Sequence, residues 1–306
     1  MAGSLKATPL LDIFQGAGAA WSLRRLRSAY TGNCICVRRS ADNTQLNIGF
    51  KNGMLDTAAL LAFTGTGNGF VTIFYDQSGN NQNLVQTLET RQPQIVSNGN
   101  LMVENGKPAL QFDGINDYLE VPASQNYFRN LHSNKALIAI VTRIGNIENA
   151  DLACGLVDTG GAAGAQIGYS LFYDNRRQFT RVNSLVNNVS TGATASVVSQ
   201  DPNRFLVSNK QYIISNRLDL TNTTANQRSF LKTNNNPDVN INFSINTPNT
   251  AASTHPLKLG AVHISNIINF HQGTFQEIVI YLTNQTGIDN ALRNNIISYY
   301  NITDMP

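Results

Sequence analysis

Through most of the chain, apolar and polar residues alternate at a spacing of two, in short runs bounded by Asn, Gly and Pro, the pattern of half-buried strands. It predicts strands at Cys34–Arg39, Val71–Tyr75, Pro108–Phe112, Tyr118–Val121 and Ile167–Tyr173. Further strands are expected at Gln178–Val182, Gln211–Asn216, Arg228–Lys232, Val239–Ile245, Leu257–Val262 and Gly273–Leu282. Ala136–Arg143 is apolar almost throughout and reads as a central strand. Helical spacing is confined to three places. Ala17–Tyr30 offers Trp21, Leu23, Leu26 and Tyr30 on one face, and Asp56 caps a short helix through Leu60 and Phe63 that Gly65 ends. Thr286–Tyr300 carries Ile288, Leu292, Ile296 and Tyr299. Many short strands with few helices predict an all-β fold, a β-sandwich (jelly roll) of two antiparallel sheets with short helices near the termini. No linker or repeat divides residues 1–306, which read as one domain: an N-terminal arm and helix over 1–32, the sandwich over 33–283 and a C-terminal helix over 284–306.

Composition narrows the classes. Only 13% of the 306 residues are charged, well below the ~25% of an ordinary soluble domain. The polar surface is supplied instead by neutral side chains, among them 40 Asn, which suit turns and sugar-facing surfaces better than helices. A net charge of +3 is too small to imply nucleic acid as a partner. No apolar run approaches a membrane span, and the first residues lack a signal-peptide pattern. Cys34, Cys36 and Cys154 are odd in number, so free thiols and folding in a reducing cytosol are expected.

Three motifs stand out: Ile73–Asn80 with its Tyr-Asp-Gln-Ser-Gly turn, Leu110–Tyr118 with its Asp-Gly turn, and Gln272–Tyr281 beginning Gln-Gly-Thr-Phe. Together they resemble the concanavalin A-like lectin/glucanase superfamily, and more narrowly the catalytic domain of the α-L-arabinofuranosidase B family. Trp21–Gly32 and Val37–Asp42 are similar both to that family and to related domains of tailed-phage virion proteins.

The resemblance implies glycoside cleavage by two carboxyl groups, one in a mid-domain strand region and one in the loop before the Gln-Gly-Thr-Phe strand. Here neither Asp nor Glu occurs between Asp174 and Asp201, nor over Val239–Gln276. Amides and hydroxyls orient a sugar but do not replace the acid. The expectation is therefore a non-catalytic virion structural or adhesion protein of a tailed phage, on tail or capsid, made in the host cytoplasm. Its partners would be other virion proteins and host surface carbohydrate, as a homo-oligomer, with a trimer the guess. Glycan contact is assigned to Tyr75, Asp76, Gln77, Tyr118 and Tyr173, although the first reading of Asp76 is that its side chain folds back onto its own turn, Gln77–Gly79. The alternative is an active arabinofuranosidase drawing its acids from Asp174, Asp201, Asp219 or Asp238.

No cofactor is implied. Asp113 and Asp117 flank an Asp-Gly turn and are weak candidates for Ca²⁺. His132, His255, His263 and His271 have no metal-ligand spacing, and Glu277 is expected to face solvent or an arginine. The densest basic group, Arg24, Arg25, Arg27, Arg38 and Arg39, reads as solvated or carboxylate-paired.

Overall fold

The apolar run around Ala136 becomes the strand Lys135–Ile144, flanked antiparallel by Lys210–Asp219 on one side and Gln272–Tyr281 on the other. The computed structural model describes residues 8–145, 153–160, 166–174, 181–187, 197–200, 206–240, 248–263 and 266–303. Why this strand lacks polar alternation is now plain: both its faces are covered. Ala136, Ile138 and Ile140 enter the main core, while Leu137, Ala139 and Val141 enter a second core. The second core is roofed by the short helix Leu10–Ile13 and the C-terminal helix Asp289–Tyr300, whose Leu292, Ile296 and Tyr300 are buried there. Burying each such side chain contributes about 1.5–3 kcal/mol.

From Gln272–Tyr281 the sheet continues through Leu110–Asp113, Gln94–Ser97 and Gly69–Phe74. It then curls over the main core through Leu84–Val85, Leu119–Glu120, Lys258–Leu259, Ala153–Asp158 and Gly168–Asp174. All of these pairings are antiparallel, and the curled sheet wraps the main core as the expected β-sandwich.

The helix Thr57–Thr64 forms as its capping signal predicts, with Asp56 Oδ1 accepting from the Ala59 N–H at 3.1 Å. The helix expected over Ala17–Tyr30 does not form. Ala19–Ser22 is instead a strand paired with the C-terminal half of Gln272–Tyr281, placing Trp21 in the main core and Ala20 in the second. Gln77 explains the outcome. Its side-chain amide accepts from Leu26 N–H and donates to the carbonyls of Ser22 and Arg24, taking partners that a helix would have used internally. The strand expected at Gln178–Val182 is found as Arg181–Asn187, and of Val239–Ile245 only Val239–Asn240 falls among the described residues.

The asparagine content also has a structural use. Among the described residues, nine of the ten non-glycine residues with positive φ are Asn, including Asn43, Asn52, Asn81 and Asn301. Asn tolerates the left-handed region better than other side chains, so a strand-rich chain with many tight turns draws on it.

Candidate functional site

The curled half of the sheet carries a polar row on its outer face. Strand register sets Glu120 opposite Lys258, Lys258 opposite Asp158, and Asp158 opposite Ser170. Their neighbours Leu119, Leu259, Val157 and Leu171 point the other way, into the main core. Lys258 Nζ lies 3.2 Å from Glu120 Oε2, with the lysine almost fully buried and the glutamate about one-third exposed.

Asp158 is the hub of this row and is fully buried. Its Oδ2 accepts from the N–H groups of Gly160 (3.0 Å) and His263 (3.1 Å), and its Oδ1 accepts from the Ser170 hydroxyl. Burial pushes its pKa up to about 6 against the opposing pull of these donors and of Lys258. Over it stand His255 and His263, stacked with ring centroids 3.5 Å apart and planes 13° from parallel. Burial and the Lys258 charge lower the pKa of both, His255 to about 4, where the neighbouring His263 also contributes. Both imidazoles are thus neutral at pH 7, each with one donor and one acceptor nitrogen.

Ala153–Asp158 and Gly168–Asp174 lead from this hub to a second end, where Ala153 and Asp174 lie. The hairpin made by Val262–His263 and Ile267–Ile268 lies along them, tied by His263 N–H to Asp158 and by Gly155 N–H to the Asn269 carbonyl (2.8 Å). Only glycine allows that approach: a Cβ on Gly155 would fall 2.4 Å from the Ala261 carbonyl carbon. At the second end Asp174 pairs with Ala153 and Arg181. Gln200, the residue before Asp201, pairs with Asn183, which pairs with Phe172, and two such interstrand steps span roughly 10 Å. Asp201 and the Asp174 side chain lie outside what the structure describes.

Near Tyr173 on the second of these strands is a buried aromatic group. The His271 ring lies 4.5 Å from Phe275 and 5.8 Å from Tyr173, and its Nε2 is 3.2 Å from Thr142 Oγ1. Burial, helped by the Arg143 charge, holds its pKa down to about 3. Unfolding frees this ring to protonate near pH 6.5, so its contribution to stability is present above that pH and is lost as pH falls towards 3. His271→Phe is expected to flatten the acid limb of stability by about 1.4 kcal/mol per pH unit. Urea titrations at pH 7 and pH 5 on both proteins measure this; an unchanged slope contradicts it.

The five glycan candidates are not gathered on one surface. Tyr75 OH donates to Asn47 Oδ1. Asp76 is buried and accepts from the Ala20, Ser78 and Gln82 N–H groups, and Gln77 is buried against the first strand. Tyr118 is 7% exposed beneath Arg91, and Tyr173 is 1% exposed in the main core. Asp113 Oδ1 accepts from the N–H groups of Ile115, Asn116 and Asp117, while Asp117 Oδ2 accepts from Asp113 N–H, which closes the turn on itself. Burial and the Asp113 charge push Asp117 up to about 7. Among the described residues no group of three His, Cys, Asp or Glu is arranged to hold a metal ion. Glu277 meets Arg24 in a two-point ion pair, 2.6 and 2.8 Å.

Asp158 was not a sequence candidate, and its strand was passed over. The available signal was an apolar run, Cys154–Val157, ended by an acid and Thr-Gly.

Comparison with known proteins bears directly on this site. Residues 12–136 match the family model for the catalytic domain of α-L-arabinofuranosidase B. An α-L-arabinofuranosidase of Hypocrea jecorina is 37% identical over 91 residues, which is 28% of this chain and 18% of that protein. The structure is similar to an arabinofuranosidase complexed with arabinofuranosyl-α-1,2-xylobiose (TM-score 0.64, 16% identity, 94% of this chain and 64% of that one). It is also similar to a mutant α-L-arabinofuranosidase soaked with 4-nitrophenyl α-L-arabinofuranoside (TM-score 0.59, 18% identity, 94% and 64%). The chain thus spans less than two-thirds of the length of these relatives, and at such identities the structural likeness establishes the fold alone.

These matches overturn the expectation of a non-catalytic phage virion protein, and with it the virion location. The matched segment contains Trp21–Gly32 and Val37–Asp42, the stretches whose likeness to phage domains entered that expectation, and its match is to a hydrolase family. The inference of lost catalysis rested on two acid-free stretches, yet Asp158 lies just upstream of the first and Asp174 and Asp201 bound it.

Proposed function

We propose that this chain is a glycoside hydrolase of the arabinofuranosidase type, removing α-L-arabinofuranosyl groups with Asp174 and Asp201 as its paired carboxyl groups. The observation that carries the reading is the match of residues 12–136 to the arabinofuranosidase B catalytic domain. Of the four candidates Asp174, Asp201, Asp219 and Asp238, the last two are engaged in ion pairs, Asp219 with Lys135 and Asp238 with Lys232. Glu104 is held by Arg143, Asp289 by Arg217 and Asp56 as a helix cap. Asp158 is fully buried and saturated with donors, so it positions the strands and does not meet substrate. Asp174 ends the strand Gly168–Asp174, and Asp201 is the residue after the strand Val197–Gln200; a sugar ring set between two carboxyl groups is cleaved by acid assistance at the leaving oxygen and attack at the anomeric carbon.

Turnover of 4-nitrophenyl α-L-arabinofuranoside tests the activity. Release of nitrophenol at least a hundredfold faster than from the corresponding β-D-xylopyranoside and α-D-galactopyranoside is expected. Equal rates on all three, or none, would remove the arabinofuranoside assignment.

A further inference from the structure

A second cavity lies outside the proposed site, at the arginine-rich segment following the first strand. It encloses about 500 Å³ and is lined by Arg24, Arg25, Ser28, Asn52, Met54 and Tyr299 among others, a volume suited to a small ligand.

Its charges are unequal in kind. Arg24 is neutralised by its two-point contact with buried Glu277 and lies 4.0 Å over the Tyr299 ring. Arg25 is anchored only by its backbone N–H on the Gly53 carbonyl (2.8 Å), and its guanidinium has no acceptor among the described residues. Lys107 Nζ stands 4.6 Å from the Tyr299 ring centroid but does not line the cavity. Among the described residues the cavity therefore presents one uncompensated positive charge. Beside it are an apolar wall and neutral polar groups. Tyr299 OH donates to the Met54 sulfur at 3.0 Å, fixing the thioether against the ring with Met54 43% exposed. Ser28 and Asn52 offer a hydroxyl and an amide.

We infer that this cavity binds a sugar carrying a single carboxylate, a uronic acid unit, with the carboxylate on Arg25. The apolar wall receives the carbon face of the ring, and Ser28 and Asn52 meet its hydroxyls. A phosphate group, with its greater charge, would need several free cations, and among the described residues only Arg25 lines the cavity as one. The choice of a sugar acid over other carboxylates rests on the hydrolase reading, whereas the monoanion site itself does not.

Calorimetry on the full chain tests it with methyl α-D-glucuronoside, methyl α-D-glucoside, acetate and inorganic phosphate. The glucuronoside is expected to bind saturably and at least tenfold more tightly than the other three, and Arg25→Gln to abolish the preference over the glucoside. The variant should keep the wild-type unfolding transition and its rate on 4-nitrophenyl α-L-arabinofuranoside, since Arg25 makes only a backbone contact. Equal binding of the two glycosides, binding indifferent to Arg25→Gln, or phosphate or acetate as tight as the glucuronoside would each overturn the inference. A protein that binds the glucuronoside this way but cleaves no arabinofuranoside would retain this site and lose the hydrolase reading.

Discussion

Asp158→Ala is expected to destabilise the protein by about 3 kcal/mol or more at pH 7. The change leaves the Gly160 and His263 N–H groups and the Ser170 hydroxyl without their acceptor in a buried place; each orphaned donor costs about 1–3 kcal/mol, and the terms are not fully additive. Asp158→Asn separates shape from charge. An amide oxygen still accepts from both backbone donors, so this variant should lose much less. The two proteins should also part with pH. The native pKa of about 6 lies above the unfolded value of 3.8, so the native state favours the protonated form. The associated stabilisation is complete below pH 3.8 and is lost as pH rises through 6, roughly 3 kcal/mol over the window. Asparagine does not titrate. Relative to wild type, Asp158→Asn should therefore compare best at pH 7 and worst near pH 4, a trend that denaturant midpoints at the two pH values read directly. A constant difference between the two would show that Asp158 is ionised throughout.

The fold was legible where hydrophobic spacing had one reading. The apolar run at Ala136, the Asp56 cap and the helical spacing of Leu292 and Ile296 each led to the element found. Ala17–Tyr30 misled because Trp21 and Leu23 also satisfy a spacing of two. What decided between strand and helix was an amide 51 residues away in the chain, Gln77 on Leu26 N–H, and no local pattern contains that information. The acid row was hidden for a related reason. Glu120, Lys258, Asp158 and Ser170 are scattered in sequence and meet only through strand register. The motif at Tyr75–Gly79 was conspicuous because its Asp and Gln bind backbone. Asp76 collects four donors around its own turn and the first strand, and Gln77 replaces helix hydrogen bonds. A motif that builds a fold is as distinct in sequence as one that carries out chemistry.

The proposed reaction depends instead on a pair of carboxyl groups, and Asp174 and Asp201 border an acid-free gap in the sequence. Asp174 ends the strand Gly168–Asp174, and Asp201 follows the strand Val197–Gln200 two places across the same sheet. If they are the reacting pair, an amide at either position removes a proton donor or an attacking group while nearly preserving shape. Losses of at least ~10²–10⁴-fold in kcat are then expected. Asp219 and Asp238, in salt bridges with Lys135 and Lys232, supply internal controls, because their amides should reduce stability by at most about 1 kcal/mol and leave turnover within a few-fold.

The most direct measurement is kcat on 4-nitrophenyl α-L-arabinofuranoside for Asp174→Asn, Asp201→Asn, Asp219→Asn and Asp238→Asn beside the wild type. Collapse of turnover in the first two with retention in the last two is the result expected here. Full activity in Asp174→Asn and Asp201→Asn, or a wild type that releases no nitrophenol, would contradict it.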